Sequence, residues 1–127
     1  MNQFTLIFAA IFGMLAIILG AFGAHALKKI LNADQLNSFE TGVKYQMYHA
    51  IVLLILGFQL EFNQSIENYI IYCFIAGVTL FSFSIYGLVI SSAKNKKLRF
   101  LGPITPLGGL LLTIGWILFL YFVISNY

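Results

Sequence analysis

The chain has 127 residues, of which 61% are hydrophobic and 9% are charged, with a formal net charge of +3. Soluble domains are about 45–50% apolar and about 25% charged, and a domain this small has too much surface per volume to hide the excess. The composition excludes an ordinary soluble domain and a disordered chain, and points to a single integral membrane domain.

A bilayer core is about 30 Å thick and takes about 20 helical residues to cross. The first apolar segment covers residues 4–27 and meets no charge before Lys28. Its Ala24-His25-Ala26 tripeptide has the form of a leader cleavage site. However, no Lys or Arg precedes the apolar run, and Lys28 and Lys29 follow it. A secretory signal has the opposite charge order, so the segment is expected to remain as a span. Residues 33–44 read as an amphipathic helix. Asn32 and Gln35 have the spacing of a capping box, and Leu36, Phe39, Val43 and Ala50 recur at helical spacing. Asp34, Asn37, Ser38, Thr41 and Lys44 take the other faces, and Glu40 pairs with Lys44 at i,i+4. This helix runs into the second span, residues 45–60. Together they reach roughly 42 Å at 1.5 Å per residue, so the first part is expected in or below the interface, with Gly42 as a bend. Residues 69–90 form the third span and 106–124 the fourth, the latter capped by Thr105 with Pro106 in its first turn. Pro103 is expected to keep the chain before it out of helix. Barrel strands alternate apolar and polar residues, whereas these runs are continuously apolar. The expected fold is therefore an all-α four-helix membrane bundle without an internal repeat.

The charges orient it. Lys28, Lys29 and Lys44 lie between the first two spans, and Lys94, Lys96, Lys97 and Arg99 between the last two. The middle connection holds Glu61 and Glu67 and no basic residue. Cytoplasmic loops carry the excess of Lys and Arg, so both termini are expected outside.

Small residues mark the helix faces: Ala9, Gly13, Ala16, Gly20 and Gly23 on the first, Ala50 and Gly57 on the second, Gly77, Ser84, Gly87 and Ser91 on the third, Gly108 and Gly115 on the fourth. Such faces let membrane helices approach closely, inside one bundle or between copies. Two histidines, His25 and His49, are expected near the inner edge on neighbouring helices. Ionisable groups at membrane depth are functional candidates, and two imidazoles at one height would suit a proton relay, a polar ligand, a metal or a haem. The alternative is that His25 caps helix carbonyls and His49 hydrogen-bonds across helices. Tyr45 shares the face of Gly42 and His49, and with Glu40 completes a candidate polar site; interfacial anchoring is the alternative. Lys94, Lys96, Lys97 and Arg99 are candidate contacts for anionic lipid, at about 1 kcal/mol per charge, or serve topology alone. Nucleic acid is not an expected partner. No carboxylate or lysine lies deep in a span, which argues against a proton-coupled transporter, and no serine sits in a nucleophile-elbow pattern. Cys73, the single cysteine, excludes an internal disulfide and reads as a packing residue of the third helix.

Three stretches carry a resemblance. Leu19-Gly20-Ala21-Phe22-Gly23-Ala24-His25-Ala26-Leu27, then Phe39-Glu40-Thr41-Gly42-Val43-Lys44-Tyr45-Gln46-Met47-Tyr48-His49-Ala50, then Pro103-Ile104-Thr105-Pro106-Leu107-Gly108-Gly109 resemble the motifs of a small bacterial inner-membrane family of unknown function, the YwdK- and YgdD-type proteins with their small eukaryotic transmembrane relatives. The resemblance implies a four-span helical protein of the bacterial cell membrane, with His25, Tyr45 and His49 inside the motifs. It implies no activity, substrate or cofactor.

The expected function is a non-enzymatic accessory role: binding membrane lipid or a larger membrane protein and acting on envelope properties. The alternatives are an oligomeric path for a small solute, with the histidines near its inner mouth, and histidine-based metal or haem binding.

Overall fold

The computed structural model describes the backbone of residues 1–127 and every side chain except that of Ala24, so that part of the Ala24-His25-Ala26 tripeptide lies outside the described residues. Four helices make the fold: α1 (Asn2–His25), α2 (Ala33–Gln59), α3 (Ser65–Ala93) and α4 (Ile104–Asn126), with short 3-10 turns at Leu27–Lys29 and Arg99–Leu101. Hydrocarbon offers no partner for a free N–H or C=O, and a helix satisfies both internally.

By length and composition, α1, α3 and α4 are apolar enough to cross a membrane. α2 is not in that group, because Lys44, Gln46 and His49 interrupt its apolar residues. It nevertheless lies beside α1 over the same height. Gly57 meets Leu6, Gly13 faces Ala50, Gly20 faces Val43, and Gly23 meets Phe39. A bilayer crossed by α1 is therefore crossed by α2. The outer surface fits that solvent: Ile7, Ile11 and Ile18 on α1, Ile51 and Phe58 on α2, and Ile117 and Leu120 on α4 are exposed.

α2 is one unbroken helix through Gly42, as long as the amphipathic segment and second span together. Its capping box is formed: Gln35 N donates to Asn32 Oδ1 at 2.8 Å and Asn32 N to Gln35 Oε1 at 3.0 Å. Gly42 makes room for a neighbour. A Cβ there would lie 2.7 Å from Tyr86 Cε1 of α3. The start of α4 differs from the expected one. Pro103 already has helical φ −68° and ψ −21°, so the helix begins at Ile104 and has no side-chain cap. Pro103 leads into the helix rather than holding the chain out of it, and the Thr105 hydroxyl is paired with Ser84 Oγ of α3 at 2.6 Å.

The helices pack as two antiparallel hairpins, α1–α2 and α3–α4, joined along α2–α3. Phe12, Leu53, Ile70, Ile71, Phe74, Val78 and Leu112 form the main core, and Leu27, Phe39, Ile85, Tyr86 and Val89 a second core nearer one end. The α3–α4 hairpin has one register throughout. Gly115 sits on Phe74, Gly77 on Leu112, and Gly108 on the backbone of Leu80 and Phe81. The small faces of α1, α3 and α4 are thus largely used inside the bundle.

The two ends differ in charge. Lys28, Lys29, Lys94, Lys96, Lys97 and Arg99 cluster at one end, and the exposed Lys44 lies about two and a half turns inside it. Glu61 and Glu67 mark the other end. Glu67 is buried there because its carboxylate accepts from the N–H groups of Phe62 and Gln64 ahead of α3.

Gly108→Ala is expected to lower stability by about 1–3 kcal/mol, because the new Cβ would meet backbone that cannot move aside. Gly109→Ala, whose Cβ would lie 3.7 Å from the Phe81 ring, is expected to be neutral. Unfolding in detergent micelles compares the two.

Candidate functional site

The four residues of the predicted polar site do not come together. His25 is exposed in the last turn of α1, and Glu40 and Tyr45 are exposed on α2. Only His49 is buried. The register that sets Gly13 against Ala50 puts His49 level with Met14, eleven residues from His25 and roughly 16 Å along the helix axis. The expectation that both histidines lie near the inner edge is corrected: His49 is at mid-height. The reason is that α2 runs beside α1 from Phe39 onward rather than from Tyr45, which moves His49 deeper. Held this far apart, the two imidazoles cannot ligate one ion. The shared face is corrected as well. Phe39, Gly42, Gln46, His49 and Leu53 point inward, while the Tyr45 ring lies outside against Tyr48 and Phe81.

The interior instead holds a hydrogen-bonded bridge centred on Gln46, whose exposure is 0%. Its Nε2 donates to the Phe12 carbonyl of α1 at 2.8 Å, and its Oε1 accepts from the Tyr86 hydroxyl of α3 at 2.7 Å. One side chain thereby ties three helices. Beside it, Ser82 Oγ donates to the Gly42 carbonyl at 2.7 Å. One turn further along α2, Trp116 Nε1 of α4 donates to His49 Nε2 at 3.2 Å, and His49 Nδ1 lies 2.8 Å from the Tyr45 carbonyl oxygen. An indole N–H only donates and a carbonyl only accepts, so these partners assign the imidazole hydrogen to Nδ1. Both ring nitrogens are engaged. Phe74 packs against both rings, with centroids 5.4 Å from each.

Gln46, Ser82, Tyr86 and Trp116 were not among the sequence candidates. Gln46 carried a usable signal, since it lies four residues after Gly42 and three before His49, on one helical face. Tyr86, Ser82 and Trp116 sit in apolar runs where nothing local reveals a partner.

The second candidate is the basic end. α3 stops in a Schellman motif. Lys96 N donates to the Ser91 carbonyl at 2.9 Å and Asn95 N to the Ser92 carbonyl at 3.1 Å. Asn95 holds the left-handed conformation at φ 58°. Leu98 N also donates to Ser91 Oγ at 3.1 Å. This sharp stop splits the basic residues between two cavities. One, of about 540 Å³, lies between α2 and the α3–α4 connection and is lined by Asp34, Gln35, Ser38, Leu88, Val89, Ser92, Lys97, Arg99 and Gly102. The other, of about 400 Å³, is lined by Tyr86, Gly87, Ile90, Ser91, Lys94, Lys96 and Leu98. The four predicted lipid contacts are all exposed and stand two to each cavity.

Residues 19–109 match the model of a family described as a protein of unknown function (DUF423). They begin and end on the stretches that carry the resemblance. The inner membrane protein YgdD of Escherichia coli (strain K12), a UPF0382 protein, is 40% identical over 120 residues, which cover 94% of this chain and 88% of that one. A UPF0382 membrane protein of Staphylococcus aureus is 38% identical over 113 residues, covering 89% and 88%. One from Staphylococcus saprophyticus is 35% identical over 113 residues, covering 89% and 90%. No solved structure matches the chain.

Gln46→Leu is expected to cost about 1–3 kcal/mol by leaving the buried Tyr86 hydroxyl without an acceptor, and adding Tyr86→Phe is expected to recover most of the loss. Unfolding of the two single variants and the double variant reads this coupling. Trp116 is the only tryptophan, so its fluorescence reports on His49. His49→Ala removes the indole's acceptor, and its emission is expected to shift to the blue.

Proposed function

The chain belongs to the family described as a protein of unknown function (DUF423), together with the UPF0382 membrane proteins, and on that premise we propose that it is a non-enzymatic accessory protein that holds phospholipid headgroups at its basic end. It is a multi-pass protein of the bacterial cell membrane, the setting that its relatives' names give them. The observation that carries the reading is the shaped basic end. Four cations on a tightly turned connection flank two cavities with apolar floors, where a headgroup and the first carbons of an acyl chain would lie. Lys and Arg concentrate on the cytoplasmic side. With both termini outside, this end faces the anionic cytoplasmic leaflet, whose pull is about 1 kcal/mol per charge.

The interior supports the same reading. The polar groups at mid-height satisfy one another across helices, as expected of groups that hold a bundle together. A path for a polar solute would need them free.

Native mass spectrometry of protein extracted gently from its own membrane tests the proposal. The expected result is retained phospholipid that falls severalfold when Lys94, Lys96, Lys97 and Arg99 are all changed to Gln. Retention that is absent, or that is unchanged by the four substitutions, overturns it.

A further inference from the structure

The two cavities at the basic end differ in one chemical respect. The cavity bearing Lys94 and Lys96 presents cations as its only charged groups. The cavity against α2 presents both signs: Lys97 and Arg99 from the α3–α4 connection, and Asp34 from the first turn of α2. We infer that this second cavity is a site for an aminophospholipid, a lipid whose headgroup carries an ammonium next to its phosphate. The inference rests on the headgroup reading above and narrows it.

Each part of such a lipid has a counterpart. Arg99 offers the planar fork of donors that suits a phosphate, and Lys97 adds a second charge. Asp34 is exposed, and its ionised carboxylate is acceptor-only, so it suits a primary ammonium. Ser38 of α2 and Ser92 of α3 line the same cavity and supply neutral hydroxyls for the glycerol oxygens. Leu88 and Val89 line it as apolar floor, on the side of α3 that leads toward the second core. The volume of about 540 Å³ falls within the roughly 300–1,000 Å³ of small-ligand sites.

The neighbouring cavity is an internal control. On α3, Gly87, Ile90 and Ser91 face it, while Leu88, Val89 and Ser92 face the Asp34 side. At 3.6 residues per turn these two sets lie on opposite faces of the helix. A lipid held by Lys94 and Lys96 meets no carboxylate, so that cavity has no means to prefer an amine.

The test compares retention of three lipids added to the full chain in detergent, read by native mass spectrometry. They are phosphatidylethanolamine, its N-trimethylated counterpart phosphatidylcholine, and phosphatidylglycerol. The expected preference for phosphatidylethanolamine over phosphatidylcholine is about two- to fivefold, the size of one exposed ion pair, because the trimethylated group cannot donate a hydrogen bond to Asp34. Asp34→Asn is expected to erase that preference while phosphatidylglycerol is retained as before, and Asp34→Glu to restore it. Lys97→Gln with Arg99→Gln is expected to weaken retention of phosphatidylethanolamine and phosphatidylglycerol alike. Lys94→Gln with Lys96→Gln is expected to leave the amine preference intact. Equal retention of phosphatidylethanolamine and phosphatidylcholine by the unmodified chain, or a preference that survives Asp34→Asn, overturns the aminophospholipid site. If phosphatidylglycerol retention still depends on the four cations in that case, the broader headgroup reading stands. If it does not, both fail.

Discussion

Gln46 has no access to solvent, and its amide reaches two other helices, α1 through the Phe12 carbonyl and α3 through the Tyr86 hydroxyl. In a membrane this is a strong constraint on arrangement. Lipid tails are as apolar as Leu, so helices gain little from burying apolar faces against each other. Directional bonds then decide which helix lies beside which, and at what height. A shift of α2 by one residue would turn Gln46 about 100° away from both partners. Individual bonds of this kind average only about 0.6 kcal/mol, but losing them leaves polar groups unsatisfied in hydrocarbon. The contribution of Gln46 is therefore mainly to specify one arrangement. His49 extends the arrangement to α4 through Trp116.

The α3–α4 hairpin is held differently. Gly108 brings α4 onto the backbone of α3 at Phe81, and Gly77 and Gly115 repeat the close approach about one and two turns further along α4. Contact this close gains dispersion over many atom pairs and tolerates no added methyl group. The hydroxyl pair Ser84–Thr105 lies in the same register. The bundle thus combines an amide bridge across α1, α2 and α3 with a glycine interface between α3 and α4. His49 sits where the two systems meet, with both ring nitrogens engaged.

Cationic charge and shape coincide at one end. The interior is closed by its own hydrogen bonds, whereas the basic end offers open cavities that mix cations, hydroxyls and apolar floor. The Asn95 turn is what separates Lys94 and Lys96 from Lys97 and Arg99. Without that sharp stop to α3, four neighbouring cations would present one undivided patch. The relatives at 35–40% identity are described by name only as membrane proteins, so the chemistry of this end carries the functional reading.

Three continuous apolar runs, a fourth that Gln46 and His49 interrupt, the placement of every Lys and Arg but Lys44, and the Asn32–Gln35 box were legible in the amino-acid order, because each depends on neighbours in the chain or on the solvent around a helix. They determined an all-helical membrane protein, the start of α2 and the segregation of charge between its ends. The candidate site was legible only in part. The basic connection was visible as a charge run, but its division into two cavities depends on α2 bringing Asp34 and Ser38 alongside. The histidine pair was misplaced because the height of His49 depends on the register of α2 against α1, which is set by contacts such as Gly13–Ala50 and by the Gln46 bridge, residues far apart in sequence. The start of α4 was misplaced because Pro103 adopts helical angles and Thr105 finds a partner on another helix. Local pattern therefore determined which segments are helices and which solvent each one meets. Tertiary structure alone decided their relative heights and rotations, because in hydrocarbon those rest on a few long-range polar bonds and close backbone approaches that no single segment encodes.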